Sequence, residues 1–192
     1  MKTAFLRSAP LLLLAASLAA CASGGGQRPA AGGIEVARFH LGDPVARAQI
    51  AIEPFDKADA NRPEYPAYAA AVGRQLSRLG WMVLPTTKQT EQIALIDLEQ
   101  GSREAVAALS AARIGRGVSA TVPAEASAGV TATLLEVAIR RRSDGTVFWE
   151  GRAVDATRAG SPEAARTAAV ERLAEALFRD FPGESGRTIR LK

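Results

Sequence analysis

The chain has 192 residues, 47% of them hydrophobic and 23% charged, a composition of globular rather than disordered or fibrous proteins. Its formal charge of +4 falls to +2 once Lys2 and Arg7 leave with the leader described below, too small an excess to point to nucleic acid. One cysteine, Cys21, excludes an internal disulfide, and one histidine, His40, excludes a multi-histidine metal site.

In chain order, Lys2 and Arg7 give a positive start to an apolar run, Ala9 to Ala20, that contains Leu11 to Leu14. A charged start and an apolar centre of this length are the build of a secretory signal peptide, too short for a comfortable membrane span. The run ends in Leu18-Ala19-Ala20-Cys21, which resembles the bacterial lipobox. That resemblance implies that the Cys21 sulfur takes a diacylglyceryl group, that fatty acylation such as palmitate anchors the chain, and that cleavage falls just before Cys21. Small residues at 19 and 20 suit a narrow peptidase site, and Ala22, rather than Asp, implies sorting to the outer membrane. Residues 1–20 are therefore expected to be a leader and 21–33, rich in glycine, a flexible tether reaching on the order of 20 Å. Residues 34–192 are long enough for one domain with one core.

Within that domain Ile34 to Leu41 and Gln49 to Pro54 read as strands, the second stopped by proline. Asp56 to Pro66, with its acids and prolines, reads as a loop. From Pro66, the spacing of Tyr68, Val72, Leu76 and Leu79 predicts a helix with one apolar stripe, ended by Gly80 and carrying Arg74 and Arg78 on its other face. Trp81 to Leu84 and Ile93 to Glu99 read as further strands, whereas 102–128 gives no clear pattern. The strongest local signal is Thr131 to Arg142, then Ser143-Asp144-Gly145, then Thr146 to Val154, two alternating runs about an Asp-Gly turn. Alternation puts Leu135, Val137 and Ile139 on one face and Glu136 and Arg140 on the other. Ser161-Pro162-Glu163 is a helix start, followed by the stripe Ala169, Val170, Leu173, Leu177 and Phe178. Phe181 to Gly186 breaks that helix, and Arg187 to Leu191 is a candidate last strand. These elements predict an α/β fold of the α+β type: one domain, a mixed and mostly antiparallel sheet, and two main helices packed on one face.

Arg38-Phe39-His40-Leu41, Ile50 to Pro54, Arg78-Leu79-Gly80-Trp81, Arg140 to Gly151 and Asp180 to Gly186 together resemble the bacterial envelope lipoproteins of domain-of-unknown-function family 4136. The resemblance covers most of Ile34 to Ile189 and departs from the pattern at 106–128. It implies an outer-membrane lipoprotein with an α/β domain and brings no activity with it.

A search for chemistry finds candidates that each have a plainer account. His40 beside Asp43 has the makings of a lone base, but it sits inside a predicted strand with no nucleophile elbow. Glu53, Asp56, Asp59 and Glu64 cluster in sequence without the spacing of a calcium loop. Asp97 and Glu99, two apart on a strand, point to one face, as an acid pair or as a polar sheet face. Arg140, Arg141 and Arg142 stand where a strand meets its turn, with Arg140 and Arg142 opposite in direction to Arg141. They suit phosphate groups or a partner, or a solvated tip. Gly183-Glu184-Ser185-Gly186 reads as a turn, and Trp81 and Trp149 as core anchors.

The sequence thus predicts a non-enzymatic, lipid-anchored outer-membrane lipoprotein, with the inner membrane as the alternative location, its domain on the periplasmic face and serving interaction or envelope maintenance. Its expected partners are the membrane, through Cys21, and an envelope protein, with no nucleic acid, metal or cofactor. The rival readings are a lipid-binding or small-ligand-binding protein, with Ala69, Ala70, Ala71 and Gly73 making room on the first helix or merely packing closely, and, last, an envelope hydrolase.

Overall fold

The computed structural model describes residues 33–42, 46–85, 90–106, 108 and 129–191. Seven strands make one open sheet: β1 (Ile34–His40), β2 (Gln49–Pro54), β3 (Met82–Leu84), β4 (Gln92–Gly101), β5 (Val130–Arg141), β6 (Val147–Arg158) and β7 (Thr188–Leu191), in the order β3-β2-β4-β5-β6-β1-β7. Two helices, α1 (Tyr65–Arg78) and α2 (Arg166–Phe178), pack side by side on one face. This is the α+β arrangement that the periodicities predicted. The pairings are antiparallel except that β2 runs parallel to both β3 and β4. Parallel neighbours cannot be joined by a tight turn, and α1 supplies the crossover from β2 to β3.

The long hairpin β5–β6 is the centre of the sheet. Its register runs from Val130 opposite Arg158 to Arg140 opposite Val147, with a bulge next to Ile139 and Arg140. Around the turn, Asp144 Oδ1 accepts from the Thr146 N–H at 2.9 Å, and Gly145 takes φ +73°, a conformation that a side chain disfavours. The second arm extends beyond the predicted Val154 to Arg158.

Tyr68, Val72 and Leu76 of α1 are at most 5% exposed, whereas Leu79 is half-buried. The helix stops where Gly80 adopts φ +96°. The Trp81 N–H then returns to the Leu76 carbonyl at 3.0 Å and the Gly80 N–H to that of Ser77 at 3.0 Å, a Schellman ending. The segment 56–66, expected to be a loop, contains a 3-10 helix, Lys57–Asn61, that Asp56 caps through its side chain. The Ser161 start is also displaced: its hydroxyl caps the short 3-10 turn Pro162–Ala164, and α2 begins only at Arg166. An extended Ala165 separates the two, and this intervening turn is invisible to helix periodicity.

Val36, Ile50, Ala94, Ile96, Leu98, Leu135, Val137, Ile139, Trp149 and Ala153 of the sheet meet the stripes of α1 and α2 in one core. Each large aliphatic side chain fully buried there is worth about 1.5–3 kcal/mol relative to exposure. Alternation sends Ile93, Asp97, Leu134, Glu136, Ala138, Arg140 and Arg152 to the second face. There Val106, on a helical turn at 103–106, packs with Ala132 and Leu134.

Candidate functional site

Four of the sequence blocks that carry the family resemblance converge at the C-terminal end of α2. The last carbonyls of a helix have no partners within it, and here Arg38 supplies them. Alternation from Ile34 and Val36 turns Arg38 toward the helices, where it is only 4% exposed. Its Nε donates to the Leu177 carbonyl at 2.8 Å, and its Nη2 to those of Ala176 and Arg179, both at 2.9 Å. Burial holds its pKa below the ordinary arginine value, opposed by the attraction of Asp180 and assisted by the repulsion of Arg179. The cation therefore sits at the negative end of the helix dipole.

The 180–186 block then folds back over Arg38. Asp180 takes φ +54° and Gly183 φ +79°. A side chain at Gly183 would place Cβ within 2.4 Å of Arg38 Cδ, so the backbone passes directly against the guanidinium stem. His40 fastens the block: its Nδ1 accepts from the Gly42 N–H at 3.2 Å, which leaves Nε2 protonated to donate to the Gly183 carbonyl at 3.1 Å. The His40 N–H donates to Ser185 Oγ at 3.0 Å, and the Gly186 N–H to the Arg38 carbonyl at 2.8 Å. Beneath this clasp Trp149 stacks on Phe178 at 5.3 Å and meets Phe181 at 5.1 Å, while Trp81 meets Phe181 edge-on at 5.2 Å. Trp149 Nε1 donates to the Pro182 carbonyl at 3.1 Å. Gly151 completes the fit, because a Cβ there would lie 2.5 Å from the Trp149 ring and 2.7 Å from Leu177 Cδ1.

The predicted candidates distribute as follows. His40 and Ser185 belong to the clasp, with both ring nitrogens of His40 engaged, and Trp81 and Trp149 are core anchors. Leu18, Ala19, Ala20, Cys21, Ala22 and Asp43 lie outside the described residues. The carboxylates of 53–64 do not gather: Glu53 reaches Arg142 at 3.5 Å, Asp56 caps, Asp59 pairs with Arg62 at 2.9 Å, and Glu64 stands at the start of α1. Asp97 and Glu99 do share the second face. Asp97 is opposite Glu136, and Glu136 lies 3.7 Å from Arg152, which also pairs with Glu150. In this buried charge network Arg152 is the cationic neighbour of Glu136 and Glu150. Among the described residues, no three His, Cys, Asp or Glu side chains are placed to hold a metal ion.

The arginine triplet separates. Arg141 pairs with Asp144 at 2.6 Å, and Arg142 donates to the Thr90 carbonyl at 2.8 Å and approaches Glu53. Arg140 is partly buried, with Nε shielded and unbonded. At the tip, Ser143 donates to Glu91 through both its hydroxyl and its N–H, which holds the Glu91 carboxyl below its usual range.

Ala71 is fully buried, and Gly73 lies under Ile52, where a Cβ would come within 3.3 Å of Cδ1. Of the two accounts of the small residues on α1, close packing is the one these two follow. A pocket of about 300 Å³, open to solvent, lies instead at the start of α1, lined by Asp59, Arg62, Tyr65, Tyr68, Ile96 and Leu135 among others. It has room for about one water molecule. The Tyr68 hydroxyl is buried there without a hydrogen-bond partner. Neighbouring Tyr65 is pushed up to about 12 by burial and by the Glu53 charge.

Sequence reasoning passed over Arg38 and Gly183 as parts of a site. The available signal was parity: in Ile34-Glu35-Val36-Ala37-Arg38 the arginine shares the face of the apolar residues.

No protein-family model matches the chain. An uncharacterised protein of Zymomonas mobilis is 26% identical over 83% of this chain and 80% of its own length. Among solved structures, a PDZ domain protein from Parabacteroides distasonis superposes with a TM-score of 0.51 at 12% identity, covering 83% of this chain and 39% of that one. A candidate lipoprotein from Caulobacter crescentus gives a TM-score of 0.31 at 16% identity, over 68% of this chain and 82% of its own.

Proposed function

We propose that this chain is a lipid-anchored protein of the bacterial outer membrane, held on the periplasmic side through acylated Cys21, whose domain acts without catalysis as an envelope interaction module. The observation that carries the reading is Leu18-Ala19-Ala20-Cys21 directly behind the apolar run that ends at Ala20. The fold supports the second half of it. Arg38, His40 and Ser185, which have the most chemistry to offer, are taken up by hydrogen bonds that close the chain on itself.

Mass spectrometry of the mature chain from fractionated envelopes tests this. The expected chain starts at Cys21 with lipid mass on its first residue and sediments with the outer membrane. Cys21→Ala is expected to abolish the lipid mass and the processing. A mature chain starting elsewhere, or with a free Cys21 thiol, refutes the anchor. A ligand-holding role has one observation in its favour, the partnerless Tyr68 hydroxyl at its pocket. Native mass spectrometry of the extracted protein checks it: a bound small molecule retained by the wild type and lost in Tyr68→Phe supports that role, and a clean apoprotein refutes it.

A further inference from the structure

The end of the sheet that carries the β5–β6 turn is the end farthest from Gly33, where the tether enters. β1 starts beside the Val154 end of β6 and finishes at Trp149, so Leu41 lies roughly 20 Å from the entry at about 3.3 Å per residue. Among the described residues, most of the exposed large apolar side chains lie at that far end: Phe39 is 39% exposed, Leu41 65%, Val147 42% and Met82 59%. Three of them are contiguous. Phe39 faces away from the helices, opposite in parity to Arg38 and His40. Leu41 extends the ladder through its N–H to the Phe148 carbonyl at 3.3 Å, and Val147 lies on the intervening strand β6, directly opposite Arg140.

Arg140 is the odd cation of this surface. Among the described residues, the carboxylates at this end of the sheet have other partners: Glu53 with Arg142, Glu91 with Ser143, Asp144 with Arg141, Glu150 with Arg152. Nor can the leader and tether supply an anion, because residues 1–32 contain no Asp or Glu. A half-buried guanidinium between aliphatic side chains fits a carboxylate flanked by apolar residues.

We propose that Phe39, Leu41, Val147 and Arg140 form a docking surface for a partner protein segment that presents aliphatic side chains beside an Asp or Glu. This deepens the interaction-module reading and rests on it. The surface faces away from the tether entry, which favours a protein over the anchoring bilayer.

The test places a photo-crosslinking amino acid at Leu41 or Val147 of the full-length protein in intact cells, with Phe55, exposed on the other half of the sheet, as the control site. The crosslinked peptides are sequenced by mass spectrometry. The expected result is one protein segment, containing an acid within a few residues of the crosslink, captured from 41 and 147 and not from 55. Arg140→Gln is expected to cut the yield about tenfold or more, and Arg140→Lys to restore most of it. Because the Arg140 Nε has no hydrogen-bond partner among the described residues, Arg140→Gln leaves the melting temperature unchanged if the surface is as described, which separates lost docking from lost folding. Capture of phospholipid, capture of a second copy, equal capture from 55, a yield indifferent to Arg140→Gln, or no crosslink at all each overturns the proposal. The lipid on Cys21 is read from the same digest, so failure of the anchor and failure of the docking surface are told apart.

Discussion

Removing the Arg38 guanidinium tests whether the clasp at the end of α2 is a structural keystone. Arg38→Met retains the aliphatic stem that Gly183 packs against but leaves the Ala176, Leu177 and Arg179 carbonyls without their donor. A hydrogen bond to a charged group is worth about 1.5–3 kcal/mol net. Simple addition over three of them overshoots, because burying the cation has its own desolvation cost, of which the lowered pKa of Arg38 is the sign. A loss of about 3–5 kcal/mol is therefore expected, in line with breaking other buried polar pairs. For a domain of this size that is a fall of roughly 6–20 °C in melting temperature, at about 2–4 °C per kcal/mol. Arg38→Lys restores the charge without the fork and should fall between the two. Urea unfolding followed by circular dichroism measures both. If Arg38→Met loses less than about 1 kcal/mol, the three hydrogen bonds do not hold the helix end and the reasoning fails.

Gly151→Ala forces a Cβ into the Trp149 ring and Leu177, so an overpacking cost of about 1–3 kcal/mol is expected; unchanged stability and tryptophan fluorescence would show that the aromatic cluster yields freely. In a Tyr68→Phe background Tyr65 is the sole tyrosine and should ionise at about 12 by absorbance at 295 nm. Because its raised pKa favours the neutral form in the fold, stability holds below pH ~10, the unfolded tyrosine value, and declines as the pH climbs from there toward 12; ionisation near 10 would sink this. Glu91 and Asp144 have lowered pKa values through their hydrogen bonds to Ser143 and Thr146. The order they confer on the hairpin tip is present above the ordinary carboxylate range and lost as pH falls below it, seen as faster amide exchange at Ser143 and Thr146. Exchange independent of pH once intrinsic rates are removed would contradict it.

Much of the fold was legible because it follows from short-range pattern. The alternation in Leu135, Val137 and Ile139 placed them in the core, Asp144-Gly145 marked the turn, and Tyr68, Val72 and Leu76 drew the buried stripe of α1. The sequence also placed Asp97 and Glu99 on one face, since a strand's period is two. Boundaries were less accurate where a cap served a 3-10 turn instead of the helix behind it, as at Ser161, because cap chemistry is the same for both.

What the sequence determined by itself is therefore local: the apolar stripes, the turn, and an α+β arrangement able to bury those stripes. The tertiary structure decided what the polar residues do, because their partners are distant in the chain. Arg38 meets its carbonyl acceptors more than 130 positions away, His40 and Ser185 are brought together across the same gap, and the adjacent Arg141 and Arg142 part toward different neighbours. Apolar burial is non-directional and can be read from periodicity, whereas a hydrogen bond needs its acceptor at one distance and angle. Only the assembled sheet and helices fix that geometry.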